Sequence, residues 1–108
     1  MKIHIKATGF DLTPALKNFI EEKFNTLDKF VEKWNENDAV LLRIEVARKT
    51  NHHNKGDVFY AEVNLDLPGL EVVRIEDTGE DMYAAIISAK DRLKTDLLKI
   101  KERLSEHK

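Results

Sequence analysis

Residues 59–67 read FYAEVNLDL, a stretch in which apolar and polar side chains alternate without a break. Successive side chains of a β-strand point to opposite faces, so one face of this strand is buried and the other is wet. A sheet built from such strands needs a covering layer on one side only. The stretch therefore predicts a sheet that carries its helices on a single face.

The same alternation recurs on both sides of this stretch. It spans residues 40–46, 70–77 and 2–7, and a polar hairpin loop at 50–56 separates the second strand from the third. Pro68-Gly69 supplies the turn into the fourth strand. The predicted inward residues of these three strands are Val40, Leu42, Ile44, Val46, Val73, Ile75, Ile3, Ile5 and Ala7.

Two further stretches carry apolar residues at the three- and four-residue spacing of a helix. The first begins with Thr13-Pro14, a capping residue followed by proline at the first helical position, and runs to about residue 34. The second follows Thr78-Gly79-Glu80-Asp81, which resembles a capping box, and runs from about 80 to 106. The order β-α-β-β-β-α predicts an α+β fold with four strands in one sheet. Strands one and two should be parallel through a right-handed crossover, and the other pairs antiparallel.

Length and composition narrow the class of protein. The 108 residues fit one domain, and 42% apolar residues suffice for one core. The chain has no cysteine, which excludes disulfides, zinc–thiolate sites and thiol nucleophiles. Neither a signal peptide nor a membrane-spanning run is present in the sequence, so we expect a cytoplasmic protein without a membrane partner.

Catalytic motifs are absent from the sequence. It contains neither a glycine-rich phosphate loop nor a Gly-x-Ser-x-Gly elbow, and its carboxylates fall on exposed faces where no pocket would raise their pKa. We therefore predict that the chain is not an enzyme and has no small-molecule substrate or cofactor. His52-His53 could supply two metal ligands, but a third at defined spacing is missing. The favoured interpretation of this pair is a polar hairpin tip, without a metal.

Charge is unevenly distributed although the net charge is only −2: residues 57–81 carry eight acids and one base, whereas residues 82–108 carry seven bases and four acids. Long basic side chains often border a core and keep their charged ends in water. Alternatively, a basic edge of the second helix contacts a phosphate backbone. The bases that flank the apolar stripe of this helix are Lys90, Lys94 and Lys101 on one edge and Arg92, Lys99 and Arg103 on the other. Such a surface could extend across the sheet through Lys2, Lys6 and Arg43.

Three segments together resemble a known family. They are Leu12-Thr13-Pro14-Ala15-Leu16, Asp81-Met82-Tyr83-Ala84-Ala85-Ile86, and Asp91-Arg92-Leu93 followed by Leu97, Lys99 and Lys101. In this order, on a β-α-β-β-β-α frame, they resemble the ribosome hibernation-promoting factors, also called ribosome-associated inhibitor proteins and formerly sigma-54 modulation proteins. The resemblance covers nearly the whole chain, and residues 81–86 are its most specific part.

The resemblance implies a double-stranded-RNA-binding-like fold and a stress-related translation inhibitor. Such a protein binds the small ribosomal subunit in the channel used by messenger RNA and transfer RNA, where ribosomal proteins are further possible contacts. The family also has basic residues at the positions of Lys17, Lys23 and Lys33 and of Arg92, Lys99 and Lys101. Residues 1–108 would form a single ribosome-binding domain of the short type, without a C-terminal dimerisation domain.

The predicted RNA-binding residues are all basic and come from both helices and the first two strands. They are Lys2, Lys6, Lys17, Lys23, Lys33, Arg43, Lys90, Arg92, Lys94, Lys99, Lys101 and Arg103. The alternative is a regulatory protein–protein interaction domain that uses the acidic segment 57–81 and the wet face of the sheet and binds no RNA. A ligand carrier would need a deep apolar pocket, which the sequence does not predict.

Overall fold

The computed structural model describes residues 1–51 and 56–106. Its elements are β1 (Lys2–Thr8), α1 (Pro14–Asn25), α2 (Asp28–Val31), β2 (Leu41–Asn51), β3 (Gly56–Asp66), β4 (Val73–Gly79) and α3 (Met82–Glu106), and two short 3-10 turns lie between α2 and β2. The strands form one sheet in the order β1-β2-β3-β4, with β1 parallel to β2 and the other neighbours antiparallel. The predicted α+β architecture is confirmed, whereas the likeness to a double-stranded-RNA-binding domain stays a prediction.

The core lies between one face of the sheet and the helices. On β3, Ala61, Val63 and Leu65 are buried, as the alternation of residues 59–67 predicts, and Tyr60 faces the opposite side. Burial of each large aliphatic or aromatic side chain contributes about 1.5–3 kcal/mol, so this layer is the main source of stability. The largest fully buried side chains come from α1 and the residues after it, from β2, β3 and the residues next to them, and from α3: Phe24, Ile20, Leu27, Leu42, Leu65, Leu67, Ile86, Leu93, Leu97, Val31, Val40 and Val46.

The first helix is shorter than its apolar spacing predicts. It begins as expected, because the Thr13 hydroxyl accepts a hydrogen bond from the backbone N–H of Leu16 at 3.1 Å, but α1 ends at Asn25 instead of continuing to about residue 34. There the backbone N–H of Leu27 donates to the Phe24 carbonyl at 3.0 Å, a bond that tightens the last turn. Leu27 and Val31 stay buried across this break, which is why the apolar pattern does not reveal it.

The boundaries of β2, β3 and α3 also differ from the sequence-based ones. Strands β2 and β3 pair as far as Asn51 and Gly56, so the predicted loop at 50–56 is too long, because ladder hydrogen bonds come from the backbone whatever the side chains are. Thr78 lies in β4 and does not begin α3. The cap is Asp81, whose carboxylate accepts a hydrogen bond from the backbone N–H of Ala84 at 2.8 Å.

The apolar stripe of α3 leaves the core in its last turns. Residues from Met82 to Leu97 in the stripe are buried, Ile100 is half-buried and Leu104 is exposed. The end of α3 and residues 70–74 line an open groove there. Within the described ranges, no helix combines the length and apolar character needed to cross a membrane.

Candidate nucleic-acid interface

The structure distributes the twelve predicted basic residues over two opposite faces. Nine lie on the helical face: Lys17, Lys23, Lys33, Lys90, Arg92, Lys94, Lys99, Lys101 and Arg103. The other three, Lys2, Lys6 and Arg43, are exposed on the uncovered face of the sheet. The single surface that was predicted to run from the second helix across the sheet is therefore interrupted by the core, and the two groups have to be judged separately.

In the described part of the chain, several lysines gather around aromatic rings where α1 and α2 meet α3, a region that we call the seam. It is defined by three aromatic rings and the four lysines beside them: Phe19, Phe30, Tyr83, Lys23, Lys29, Lys94 and Lys101. The ammonium groups of Lys29, Lys94 and Lys101 lie 5.2, 5.5 and 5.9 Å from the centre of the half-buried Phe30 ring. Three cations from two separate helices thus converge on one side chain.

The cations at Phe30 are not neutralised by acids. In the part of the chain that the structure describes, Lys29, Lys94 and Lys101 form no ion pair with a carboxylate. Contact with an aromatic face stabilises an exposed ammonium by about 0.5–1 kcal/mol but leaves its full charge in place. The seam is therefore a focus of uncompensated positive charge, the feature that attracts a phosphate backbone.

Lys29 is a seam residue that the sequence alone did not identify. In a helix continuous to residue 34, 100° per residue would place Lys29 opposite the buried stripe and away from the second helix. In the structure α1 ends at Asn25, and Lys29 on α2 lies beside its neighbour Phe30, the ring that Lys94 and Lys101 also contact. The only sequence signal for the break is the pair Asn25-Thr26. In the structure, the Thr26 hydroxyl donates a hydrogen bond to the Lys23 carbonyl at 2.6 Å.

Lys23 and Lys33 on the helical face also lie over aromatic rings. The Lys23 ammonium is 5.4 Å from the centre of Phe19, and the Lys33 ammonium is 4.5 Å from the centre of Trp34. Lys17 and Lys90 instead pair with Glu21 at 3.9 Å and Asp91 at 2.6 Å. Because exposed pairs of this kind contribute little and exchange readily, they weaken a phosphate contact without preventing it.

Arg92, on the other edge of α3, makes its contacts within the protein itself. Its guanidinium donates to the Glu76 carbonyl on the outer edge of β4 and lies 3.7 Å from the Asp77 carboxylate. Asp77 also accepts a short hydrogen bond from the Ser88 hydroxyl. The hydrogen bond from Ser88, with smaller contributions from the Thr78 backbone N–H and the charge of Arg92, lowers the pKa of Asp77 against the opposing effect of burial. We call this β4–α3 connection the Asp77 clamp.

Lys99 and Arg103 lie on the same edge as Arg92 but form no comparable ion pair or hydrogen bond with the described residues. Both line the groove beside residues 70–74, and neither forms an ion pair with a carboxylate of the described chain. Asp96 and Glu102 line the same groove, so the local charge is mixed. This edge is consequently less positive than the seam.

The uncovered face of the sheet carries cations whose charge is largely compensated. One row crosses all four strands in register and consists of Lys6, Glu45, Glu62 and Glu76. Lys6 lies 3.7 Å from Glu45, and Arg74 lies 3.4 Å from Glu62 and 2.7 Å from Glu76. Arg43 forms no ion pair with a described carboxylate, but the acidic row lies beside it.

Metal binding has no support in the described part of the chain. Within residues 1–51 and 56–106, no group of three or more histidine, aspartate or glutamate side chains is arranged to hold a metal ion. His52 and His53, the pair considered from the sequence, lie outside the described residues.

Two solved structures share this fold over almost their whole length. The N-terminal domain of Protein Y from Thermus thermophilus superposes with a TM-score of 0.71 at 27% identity, over 93% of this chain and 99% of that one. A ribosomal subunit interface protein from Coxiella burnetii superposes with a TM-score of 0.74 over 94% of this chain and 99% of that one, at 21% identity. The second likeness concerns the fold alone.

Curated relatives and a family model agree with the resemblance seen in the sequence. A ribosome hibernation promoting factor of Klebsiella oxytoca is 31% identical over 99% of this chain and 100% of its own length. A ribosome hibernation promotion factor of Deinococcus radiodurans is 31% identical over 92% of this chain but only 48% of its own length. These relatives are hibernation factors and not enzymes, which confirms the prediction of a non-enzymatic protein. Because the family model also matches residues 3–105, the chain belongs to the family described as sigma 54 modulation protein / S30EA ribosomal protein.

Proposed function

We propose that this protein is a cytoplasmic ribosome hibernation factor that binds the small ribosomal subunit in the channel of messenger RNA and transfer RNA. Its helical face would contact the phosphates of ribosomal RNA and so inhibit translation. The ribosomal part of the proposal is supported by the family and by the names of full-length relatives. The RNA contacts are supported by the distribution of charge, whereas the small subunit and its channel are what the family resemblance of residues 12–16, 81–86 and 91–101 implies.

The observation that carries the proposal is the convergence of Lys29, Lys94 and Lys101 on Phe30. Like charges that gather without acids repel one another, and a bound polyanion relieves that repulsion. A lysine that contacts a phosphate also releases condensed counterions, which favours binding. The net charge of −2 does not oppose this mechanism, because the excess acids lie on other parts of the surface.

The phosphate contacts are assigned to the helical face alone. Lys2, Lys6 and Arg43 share their face of the sheet with Glu45, Glu62 and Glu76, whose carboxylates would repel a phosphate backbone. Contacts from lysine to phosphate are independent of base sequence, so they would position the protein by the shape of the RNA.

Co-sedimentation with purified small subunits at increasing salt tests the proposal. With about six phosphates contacted, the logarithm of the binding constant should fall with the logarithm of salt at a slope of about −4 to −5. Absence of association at low salt would contradict ribosome binding. A slope near zero would contradict phosphate contacts while leaving association intact.

A further inference from the structure

Tyr83 stands on the seam as an exposed aromatic ring. It is the second residue of α3, and 50% of its surface is exposed. Its ring meets the Phe19 ring edge to face, with 4.7 Å between the centres and an angle of 81° between the planes. Its hydroxyl group makes no hydrogen bond with a described residue. Phe19 therefore holds the tyrosine in place, while much of its surface stays available to a ligand.

Tyr83 points in the same direction as the seam lysines of its own helix. At 100° per residue, Tyr83, Lys94 and Lys101 lie within about 20° of one line along α3. The ring lies about 17 Å from the level of Lys94, because eleven residues separate them at 1.5 Å each. A polyanion that follows the lysines toward the start of α3 would pass over Tyr83.

A further cation lies next to this pair of rings. The Lys23 ammonium is 5.4 Å from the centre of Phe19, and Lys23 forms no ion pair with a described carboxylate. An aromatic ring beside an unneutralised cation is the combination that binds single-stranded nucleic acid, since the ring stacks on a base while the cation contacts a phosphate. An apolar protein surface would not need the lysine, and an acidic one would not need the exposed ring.

We propose that Tyr83, supported by Phe19, stacks on an unpaired base of ribosomal RNA while Lys23 contacts a neighbouring phosphate. The proposal rests on the proposed function, because it requires RNA on the helical face. It adds a base-stacking site to a surface that otherwise has only charge. Stacking requires a ring at position 83 but does not require its hydroxyl.

Three single variants of the full-length chain, bound to purified small subunits, test the proposal. Tyr83→Phe keeps the ring and should bind within about twofold of the wild-type protein, whereas Tyr83→Leu should lose about tenfold in affinity. Tyr60→Leu is the matched control. Tyr60 is 36% exposed and has the Lys49 ammonium 5.0 Å from its ring, but it lies on the uncovered face of the sheet. That variant should bind like the wild-type protein.

Zero-length ultraviolet crosslinking of the wild-type complex gives a second measurement that requires no variant. A nucleotide attached to Tyr83 in the crosslinked peptide supports stacking, and attachment to a ribosomal protein overturns it. Full affinity of Tyr83→Leu, or equal losses for Tyr83→Phe and Tyr83→Leu, would also overturn it. If the wild-type protein does not bind small subunits, the proposed function itself fails, a result distinct from either of these.

Discussion

The seam and the uncovered face of the sheet both carry exposed cations, but they differ in what surrounds each charge. Lys29, Lys94 and Lys101 gather around an aromatic ring without a carboxylate partner. On the sheet, Lys6 and Arg74 lie against glutamates of the same row. A count of basic residues does not show this difference in surroundings. Their pairing indicates that the seam keeps more of its charge available for another molecule than the sheet does.

The largest expected effect comes from removing charge at the seam. The double variant Lys94→Ala, Lys101→Ala should bind small subunits about 100-fold more weakly at low salt, because each lost charge-assisted phosphate contact costs about 1.5 kcal/mol or slightly less. Its salt slope should also become shallower by about 2. Filter binding at several salt concentrations measures both quantities.

The matched comparison is the double variant Lys6→Ala, Arg43→Ala on the sheet. It removes the same number of charges and should change affinity by no more than about threefold, the effect of weak long-range electrostatics. Equal losses for the two double variants would contradict the distinction between the faces.

Arg92 and Lys99 extend the comparison to one edge of α3. Arg92→Ala should lower the free energy of unfolding by about 1–2 kcal/mol, because the Glu76 carbonyl loses its hydrogen-bond donor and the Asp77 carboxylate loses an ion-pair partner at 3.7 Å. Lys99→Ala should stay within about 0.5 kcal/mol of the wild-type protein. Urea denaturation measures both values. A larger loss of stability for Lys99→Ala than for Arg92→Ala would show that the Asp77 clamp is misassigned.

The Asp77 clamp should also make stability depend on pH in the acid range. The fold lowers the pKa of Asp77 below its ordinary value of 3.8, so its ionised form stabilises the fold above that value. This contribution is lost as the pH falls through the lower folded-state pKa. Asp77→Asn should therefore be less stable than the wild-type protein by about 1 kcal/mol at pH 7, and the difference should shrink in acid. Thermal unfolding between pH 7 and pH 3 measures this difference, and one that grows in acid would contradict the account.

The smallest expected effect comes from neutralising acids on the sheet. Glu45→Gln, Glu62→Gln removes the carboxylate beside Lys6 and one of the two acids beside Arg74, and it lowers the negative charge of the row next to Arg43. Affinity for single-stranded polyuridylate at low salt should rise about two- to threefold, which corresponds to weak surface pairs. Unchanged or weaker binding would indicate that the glutamates do not restrain these cations.

Most of the fold could be predicted from the sequence, because it depends on local patterns of side chains. The alternation of residues 59–67 predicted a one-sided sheet, and Thr13-Pro14 marked the start of α1, because each depends on neighbouring residues alone. The end of α1 was missed. Leu27 and Val31 are buried after the break, as Phe24 is before it, so apolar spacing carries no sign of the break.

The candidate site was less predictable because it depends on which elements meet. A helical wheel placed Lys94 and Lys101 on one edge of α3 but could not bring Lys29 to them. Arg92 has the same wheel position relative to the core as its basic neighbours, yet its partner Asp77 lies on β4, fifteen residues away in sequence. Whether a cation is available to a ligand or takes part in the fold depends on side-chain pairing between elements. Sequence spacing does not reveal that pairing.

Tyrosine modification tests most directly the claim that the seam is the face that meets the ribosome. The chain has only two tyrosines, Tyr83 on the seam and Tyr60 on the uncovered face of the sheet, and both are exposed enough to react. Limited iodination of the free protein and of its complex with small subunits, quantified by mass spectrometry, compares the two faces within one molecule. We predict that binding protects Tyr83 and leaves Tyr60 reactive. Protection of Tyr60 with Tyr83 still reactive would contradict the account.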